Sequence, residues 1–228
     1  MKKNAMLKIA AILMVAVLLT TCAISSTFAK YTTSGNIAVQ TAKVAKFGVE
    51  ITGSVATDDA LFAKAYKAGT DNDVAALDAA YNVVAPGTAS ADKAINFTVT
   101  GKPEVAVEIT TTAAISLQKW EVNGEFYCPI VFNVNGTEIK QDATNSTAAK
   151  LESAIKNAIE ATNGKYAPNT DLSEVEGLDL DIDWAWAFNG DDAKDTALGD
   201  AAADGNAATI SISIERKVEQ IDTYSAGN

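Results

Sequence analysis

The chain contains no histidine. Histidine is the usual general base near neutral pH and the commonest zinc ligand, so Ser/His/Asp and Cys/His catalysis and the His-Glu-x-x-His zinc site are excluded in their ordinary form. Carboxylate chemistry is what remains. Positive charge is also scarce: 18 Lys and Arg stand against 29 Asp and Glu, a formal net charge of -11. Such a surface repels phosphate backbones and anionic headgroups, which argues against nucleic acid and simple membrane-surface partners. Cysteine is confined to Cys22 and Cys128. Apolar residues are not lacking, and 48% of 228 residues is enough for one good-sized core or two small ones.

Residues 1–29 have the three parts of a secretory signal. Lys2, Lys3 and Lys8 form a positive start, Ile9 to Leu19 is an unbroken apolar run, and Thr27-Phe28-Ala29 precedes the expected cut between Ala29 and Lys30. The run is shorter than the ~20 residues a membrane crossing needs, so removal is expected rather than retention as an anchor. A lipoprotein reading of Leu19-Thr20-Thr21-Cys22 fits less well, because threonine before the cysteine is bulky. Cleavage would leave Cys128 as the single cysteine, in the run FYCPIVFNV. It reads as a small buried apolar side chain, and no internal disulfide can form.

Period-two alternation dominates the rest. VAKFGVEIT sets Ala45, Phe47, Val49 and Ile51 on one face; INFTVT sets Ile95, Phe97 and Val99 there; VAVEIT does so with Val105, Val107 and Ile109. The Gly101-Lys102-Pro103-Glu104 stretch between the last two predicts a turn, and the pair a hairpin. Asn123-Gly124 and Asn135-Gly136 separate ISLQKWEV, FYCPIVFNV and TEIK, and Asn-Gly is the preferred pair of a type I′ turn. Pro129 demotes its strand toward an edge or marks a bulge. LDLDIDWAWAF places Leu178, Leu180, Ile182, Trp184, Trp186 and Phe188 inward, and ATISISIERKVEQI does the same with Ile210, Ile212 and Ile214. One amphipathic helix is predicted over about 146–162, from Leu151, Ile155, Ala158 and Ile159 with Gly164 as its stop. Residues 58–81 are alanine-rich and compatible with short helical turns or irregular loop. Strands of this kind predict a mostly β protein, a two-sheet antiparallel β-sandwich or jelly roll with the one helix packed on it.

The acids near the end invite chemistry. Asp181 and Asp183 fall on the outer face of their strand and read as solvated positions. Asp191, Asp192 and Asp195 would be weak calcium candidates, but the stretch lacks the EF-hand order and Lys194 sits among the ligands, so a plain acidic loop between the last two strands is expected. No metal and no cofactor are therefore expected, and no carboxylate pair for glycoside hydrolysis stands out. The Asn-x-Ser/Thr matches at Asn96, Asn135 and Asn145 read as strand and turn.

The Thr-Phe-Ala-Lys-Tyr junction, VAKFGVEIT soon after it, the turn Val84-Ala85-Pro86-Gly87-Thr88 leading to INFTVTGKPEVAVEI, and the closing WAWAF and ISISIERKVEQID together resemble the TasA/camelysin group. These are Firmicute surface and biofilm-matrix proteins whose signals are cut by a dedicated SipW-type signal peptidase. The resemblance runs through nearly the whole chain, and its specificity lies in the order of short motifs. It implies an exported jelly roll able to polymerise, with the segment freed by signal removal adding as a strand to the next subunit. On this chain that segment is residues 30–41, in which Tyr31, Ile37 and Val39 would fill pockets of an acceptor sheet, leaving 42–228 as one domain. Camelysin-like members carry a metallopeptidase label, which the missing histidine does not support here.

The expected function is thus a secreted, non-enzymatic structural protein of the cell surface or biofilm matrix that self-associates into fibres. A camelysin-like metal-dependent peptidase and a calcium-dependent adhesin are the alternatives. No C-terminal sorting motif or second apolar span is present, so non-covalent retention is expected.

Overall fold

The computed structural model describes residues 32–36, 47–55, 62, 83–90, 94–222 and 224. The chain divides into two units, residues 1–30 and 31–228, and every described residue belongs to the second. In chain order the strands are β1 (Thr32–Asn36), β2 (Val49–Val55), β3 (Ile95–Gly101), β4 (Val107–Gln118), β5 (Glu121–Val122), β6 (Glu125–Phe126), β7 (Ile130–Val134), β8 (Thr137–Ile139), β9 (Gly164–Tyr166), β10 (Leu180–Trp186) and β11 (Thr209–Gln220). Helix α1 (Ala148–Glu160) lies between β8 and β9, and helix α2 (Asp192–Ala203) between β10 and β11.

The strands form a four-stranded sheet, β1-β11-β4-β9, a five-stranded sheet, β2-β3-β10-β7-β8, and the small β5-β6 ribbon. Every pairing among them is antiparallel. The protein is mostly β, as its alternation predicts. Ile95, Phe97 and Val99 on β3, Ile130, Phe132 and Val134 on β7, and Leu180, Ile182 and Trp184 on β10 are all buried. They join Val107, Ile109, Ile214 and Val218 of the other sheet in one apolar cluster. Each large side chain taken fully out of water contributes roughly 1.5–3 kcal/mol, so this cluster is the main support of the fold.

The two Asn-Gly turns are where they were expected. Asn123 and Gly124 have φ of 55° and 79°, and Asn135 and Gly136 have 50° and 79°. Positive φ at both central residues is the type I′ geometry, whose twist matches that of the flanking strands. Helix α1 also forms as predicted: Thr147 caps it by accepting from the Lys150 N–H at 3.3 Å, and Leu151, Ile155 and Ile159 reach the core.

Tertiary structure overrides several local expectations. The Gly101–Glu104 stretch does not close a hairpin, because β3 and β4 belong to different sheets. ISLQKWEV is not a separate strand at its start, since β4 runs unbroken through Gln118 to pair with the whole of β11. Pro129 precedes β7 rather than interrupting it, and β7 is an inner strand between β10 and β8. The acidic loop expected after Phe188 contains α2, so two helices rather than one are present among the described residues. Phe188 itself is exposed, past the end of β10, and Ile210 and Ile212 are half-buried. Asp181 and Asp183 are not simply solvated: each stands opposite an asparagine in the ladder. Asn96 donates its side-chain amide to Asp181, and Asn133 donates to Asp183 at 3.3 Å. Cross-strand side-chain pairs of this sort add to register specificity. The expectation for residues 58–81 falls outside the described residues except at Phe62.

Candidate functional site

A sheet edge is a row of backbone donors and acceptors, and the treatment of each edge says what it is available for. On the β4 side of the four-stranded sheet the short β9 covers Val107–Ile109 alone. Beyond it, α1 and the turn that follows it supply side chains in place of a strand. Glu152 Oε1 accepts from the Leu117 N–H at 2.7 Å and Glu160 Oε1 from the Ala113 N–H at 3.1 Å. Asn163 Oδ1 accepts from the Thr111 N–H while its Nδ2 donates to the Thr111 carbonyl at 3.2 Å. The spacing works because eight helical residues rise ~12 Å and four strand residues ~13 Å. Three of the N–H groups on this edge are taken in this way.

The opposite edge differs. β1 pairs with the outer side of β11 in the register Thr32↔Glu219 to Asn36↔Glu215. Its sequence, TTSGN, offers no large apolar residue, so the ladder itself holds it, at roughly 0.5–1.5 kcal/mol net per backbone hydrogen bond. These five residues lie within the 30–41 arm, and here they dock on the chain's own sheet. The arm positions Tyr31, Ile37 and Val39, and the cleavage residues Ala29 and Lys30, lie outside the described residues. β11 extends well past β1: over Thr209–Ile214 no described strand pairs with its outer side. β2 has an outer edge as well, with which no described strand pairs.

Behind the β1–β11 ladder, the inward positions of β11 are Ile214, Arg216 and Val218. Arg216 is fully buried. Its Nη2 donates to the Leu178 carbonyl, which ties β11 to the segment entering β10, whereas Nε and Nη1 have no partner among the described residues. Burial pushes the guanidinium down to about 10, against the opposing pull of Asp179 and Tyr166. A buried, incompletely paired cation gives little net stability, and its geometric role is to hold β11 in place.

Each of the three calcium candidates has a place in α2 or its cap. Asp191 caps α2, accepting from the Lys194 N–H at 3.2 Å and pairing with the Lys194 amine at 3.2 Å. Asp192 lies in the first turn, where a carboxylate favours the helix dipole. Asp195 turns inward and accepts from the Tyr127 hydroxyl at 2.7 Å. Burial, then the bond to Asp195 and its charge, raise the Tyr127 phenol well above its usual range. Among the described residues no group of three or more Cys, Asp or Glu is gathered to hold a metal ion. Cys128 is buried and free, and burial raises its thiol to about 12, so it is an inert thiol.

The edge-closing residues Glu152, Glu160 and Asn163 carry no sequence signal of their own. The i, i+8 spacing of Glu152 and Glu160 puts them on one helix face, and Asn163 follows just past the helix end, but only the strand beneath gives these positions a purpose. No protein-family model, curated protein or solved structure matches this chain.

Proposed function

We propose that the protein is an exported structural subunit of the cell surface or extracellular matrix, built as a jelly-roll sandwich and joined to its neighbours by strand addition. The observation that carries this reading is the contrast between two edges of one sheet. On the β4 edge three N–H groups are taken by side chains, while on the β11 edge the one described cover is a five-residue, apolar-poor strand over part of its length. The β1 register runs straight onto Thr209–Ile214, with which no described strand pairs on that side. A neighbour's arm taking this register in place of the chain's own would set Ile37 beside Ile214 and Val39 beside Ile212. Strand addition satisfies the edge donors and acceptors, and alternate apolar side chains add burial at ~25 cal/mol per Å². The single apolar cluster drawing on both sheets, and the Arg216 link to Leu178, support a layered sandwich.

Electron microscopy and size-exclusion chromatography of the chain starting at Lys30, before and after concentration, test the proposal. Fibres or a ladder of oligomers are expected, and removing residues 30–41 should leave a folded monomer by circular dichroism. A cleaved chain that stays monomeric at every concentration, or a deletion that still assembles, overturns it.

A further inference from the structure

Asparagine is followed by glycine at four places in the chain: Asn123, Asn135, Asn163 and Asn189. Glycine has no Cβ to shield its nitrogen or restrict its backbone, so that nitrogen can attack the preceding side-chain amide carbon wherever the chain lets the two meet. At three of the four places the fold keeps them apart. Asn123 and Asn135 have φ of 55° and 50° in type I′ turns. Such a turn sets ψ of about 30° at this residue, which leaves the glycine nitrogen nearly opposite Cβ about the Cα–C bond. Asn135 is fixed further by its amide, whose Nδ2 donates to the Asp179 carbonyl at 3.0 Å and whose Oδ1 accepts from the Asp181 N–H at 2.6 Å. Asn163 spends its amide on both backbone groups of Thr111, and Gly164 is paired with Ile109 in the sheet.

Asn189 is under no such restraint. It lies past the end of β10 and ahead of the α2 cap, and both it and Gly190 are exposed. Neither has a positive φ. Among the described residues, neither the Asn189 amide nor the Gly190 N–H has a hydrogen-bond partner. We propose that Asn189 is a site of spontaneous covalent modification, at which the side-chain amide is lost and an aspartyl or isoaspartyl residue is left at the entrance to α2. The Gly190 nitrogen gives up its proton to solvent base and attacks Asn189 Cγ. The new N–C bond closes a five-membered imide; the amide C–N bond breaks, and the departing nitrogen takes a proton and leaves as ammonia. Water then opens the imide at either carbonyl, with no oxidant or cofactor involved. Opening at the main-chain carbonyl carries the chain through Cβ and Cγ, which lengthens it by one methylene just ahead of the Asp191 cap. Either product adds one negative charge beside Asp191 and Asp192, in a chain already at -11.

The full chain, folded or in guanidinium, is held in mildly alkaline buffer, and its peptides are mapped over time by mass spectrometry for aspartate and isoaspartate. In the folded chain Asn189 is expected to convert about tenfold faster or more than Asn123, Asn135 or Asn163, since each of those must first give up a restraint comparable to a hydrogen bond. In guanidinium the four should react at similar rates, because a glycine follows each. Asn189→Gln should abolish the acidic shift that the folded native chain acquires on ion exchange, since glutamine would have to close a six-membered ring. A folded chain in which any of the other three converts as fast as Asn189, or in which Asn189 stays intact, overturns the proposal.

Discussion

Asn163 holds Thr111 as a neighbouring strand would: its side-chain oxygen accepts from the Thr111 N–H, and its side-chain nitrogen donates to the Thr111 carbonyl at 3.2 Å. Thr111 is buried, so these groups have no water to turn to. Asn163→Ala should destabilise the fold by about 1–2 kcal/mol in urea unfolding. Asn163→Asp keeps the acceptor and loses the donor, and should fall between the two. Equal stability of all three would show that the amide does not act as a strand surrogate.

Two glycines with similar backbone signs should respond very differently to alanine. At Gly136 (φ 79°) an added Cβ meets nothing within 4 Å, so Gly136→Ala should lose about 1 kcal/mol, the left-handed backbone term alone. At Gly101 (φ 118°) the added Cβ would lie 1.7 Å from the Gly48 carbonyl oxygen, where β2 closes on β3. Backbone must move there, and Gly101→Ala should lose at least about 3 kcal/mol. Thermal or urea unfolding of the pair measures the difference, and a Gly101 variant as mild as the Gly136 one would contradict the close approach.

Stability should fall on the alkaline side of pH 9. The Cys128 thiol has an ordinary value of 9.0 and is raised to about 12 by burial. Above pH 9 the unfolded chain gives up this proton while the folded chain keeps it, so the unfolded state gains and stability drops. Between pH 9 and 10 the loss from this group is about 1 kcal/mol. Above about pH 10, Arg216 acts in the opposite direction, because its folded value lies below its unfolded one. Cys128→Ala should therefore flatten the pH 9 to 10 segment of a urea-midpoint profile, and an unchanged slope would count against the buried thiol.

Assembly should depend on the backbone of β1 rather than on its side chains. Ser34 and Gly35 point their N–H groups to opposite sides of the strand, so proline at both removes a donor to β11 whichever residue supplies it. Ser34→Pro with Gly35→Pro should weaken association of the chain starting at Lys30 about tenfold or more, while lowering fold stability by no more than about 1–2 kcal/mol. Analytical ultracentrifugation reads the first and urea unfolding the second. Undiminished association would remove β1 from the assembly account.

Periodicity and turn chemistry carried much of this fold. Phe47, Ile95, Phe97, Val99, Ile130, Phe132, Leu180, Ile182 and Trp184 announce their inward faces by alternation alone, because side chains of a strand alternate between its two faces. Asn123-Gly124 and Asn135-Gly136 announce their turns because few other pairs tolerate positive φ twice. Leu151, Ile155 and Ile159 announce α1 by their spacing. Helix α2 was not legible, since its run of alanines and acids buries little beyond Asp195 and Leu198 and leaves no apolar stripe to read.

What the amino-acid sequence determined by itself was therefore local and statistical: mostly antiparallel β structure, an acidic surface, and the absence of histidine chemistry. Tertiary structure alone decided which strand meets which. It sent β3 and β4 to different sheets, turned Asp195 inward onto Tyr127, and placed Trp186 and Asp195 among the residues lining one cavity. The physical reason is that alternation specifies which way a side chain faces but not what stands opposite. Hydrogen-bond accounting at an edge, or the lining of a cavity, exists only once segments distant in sequence have been brought together.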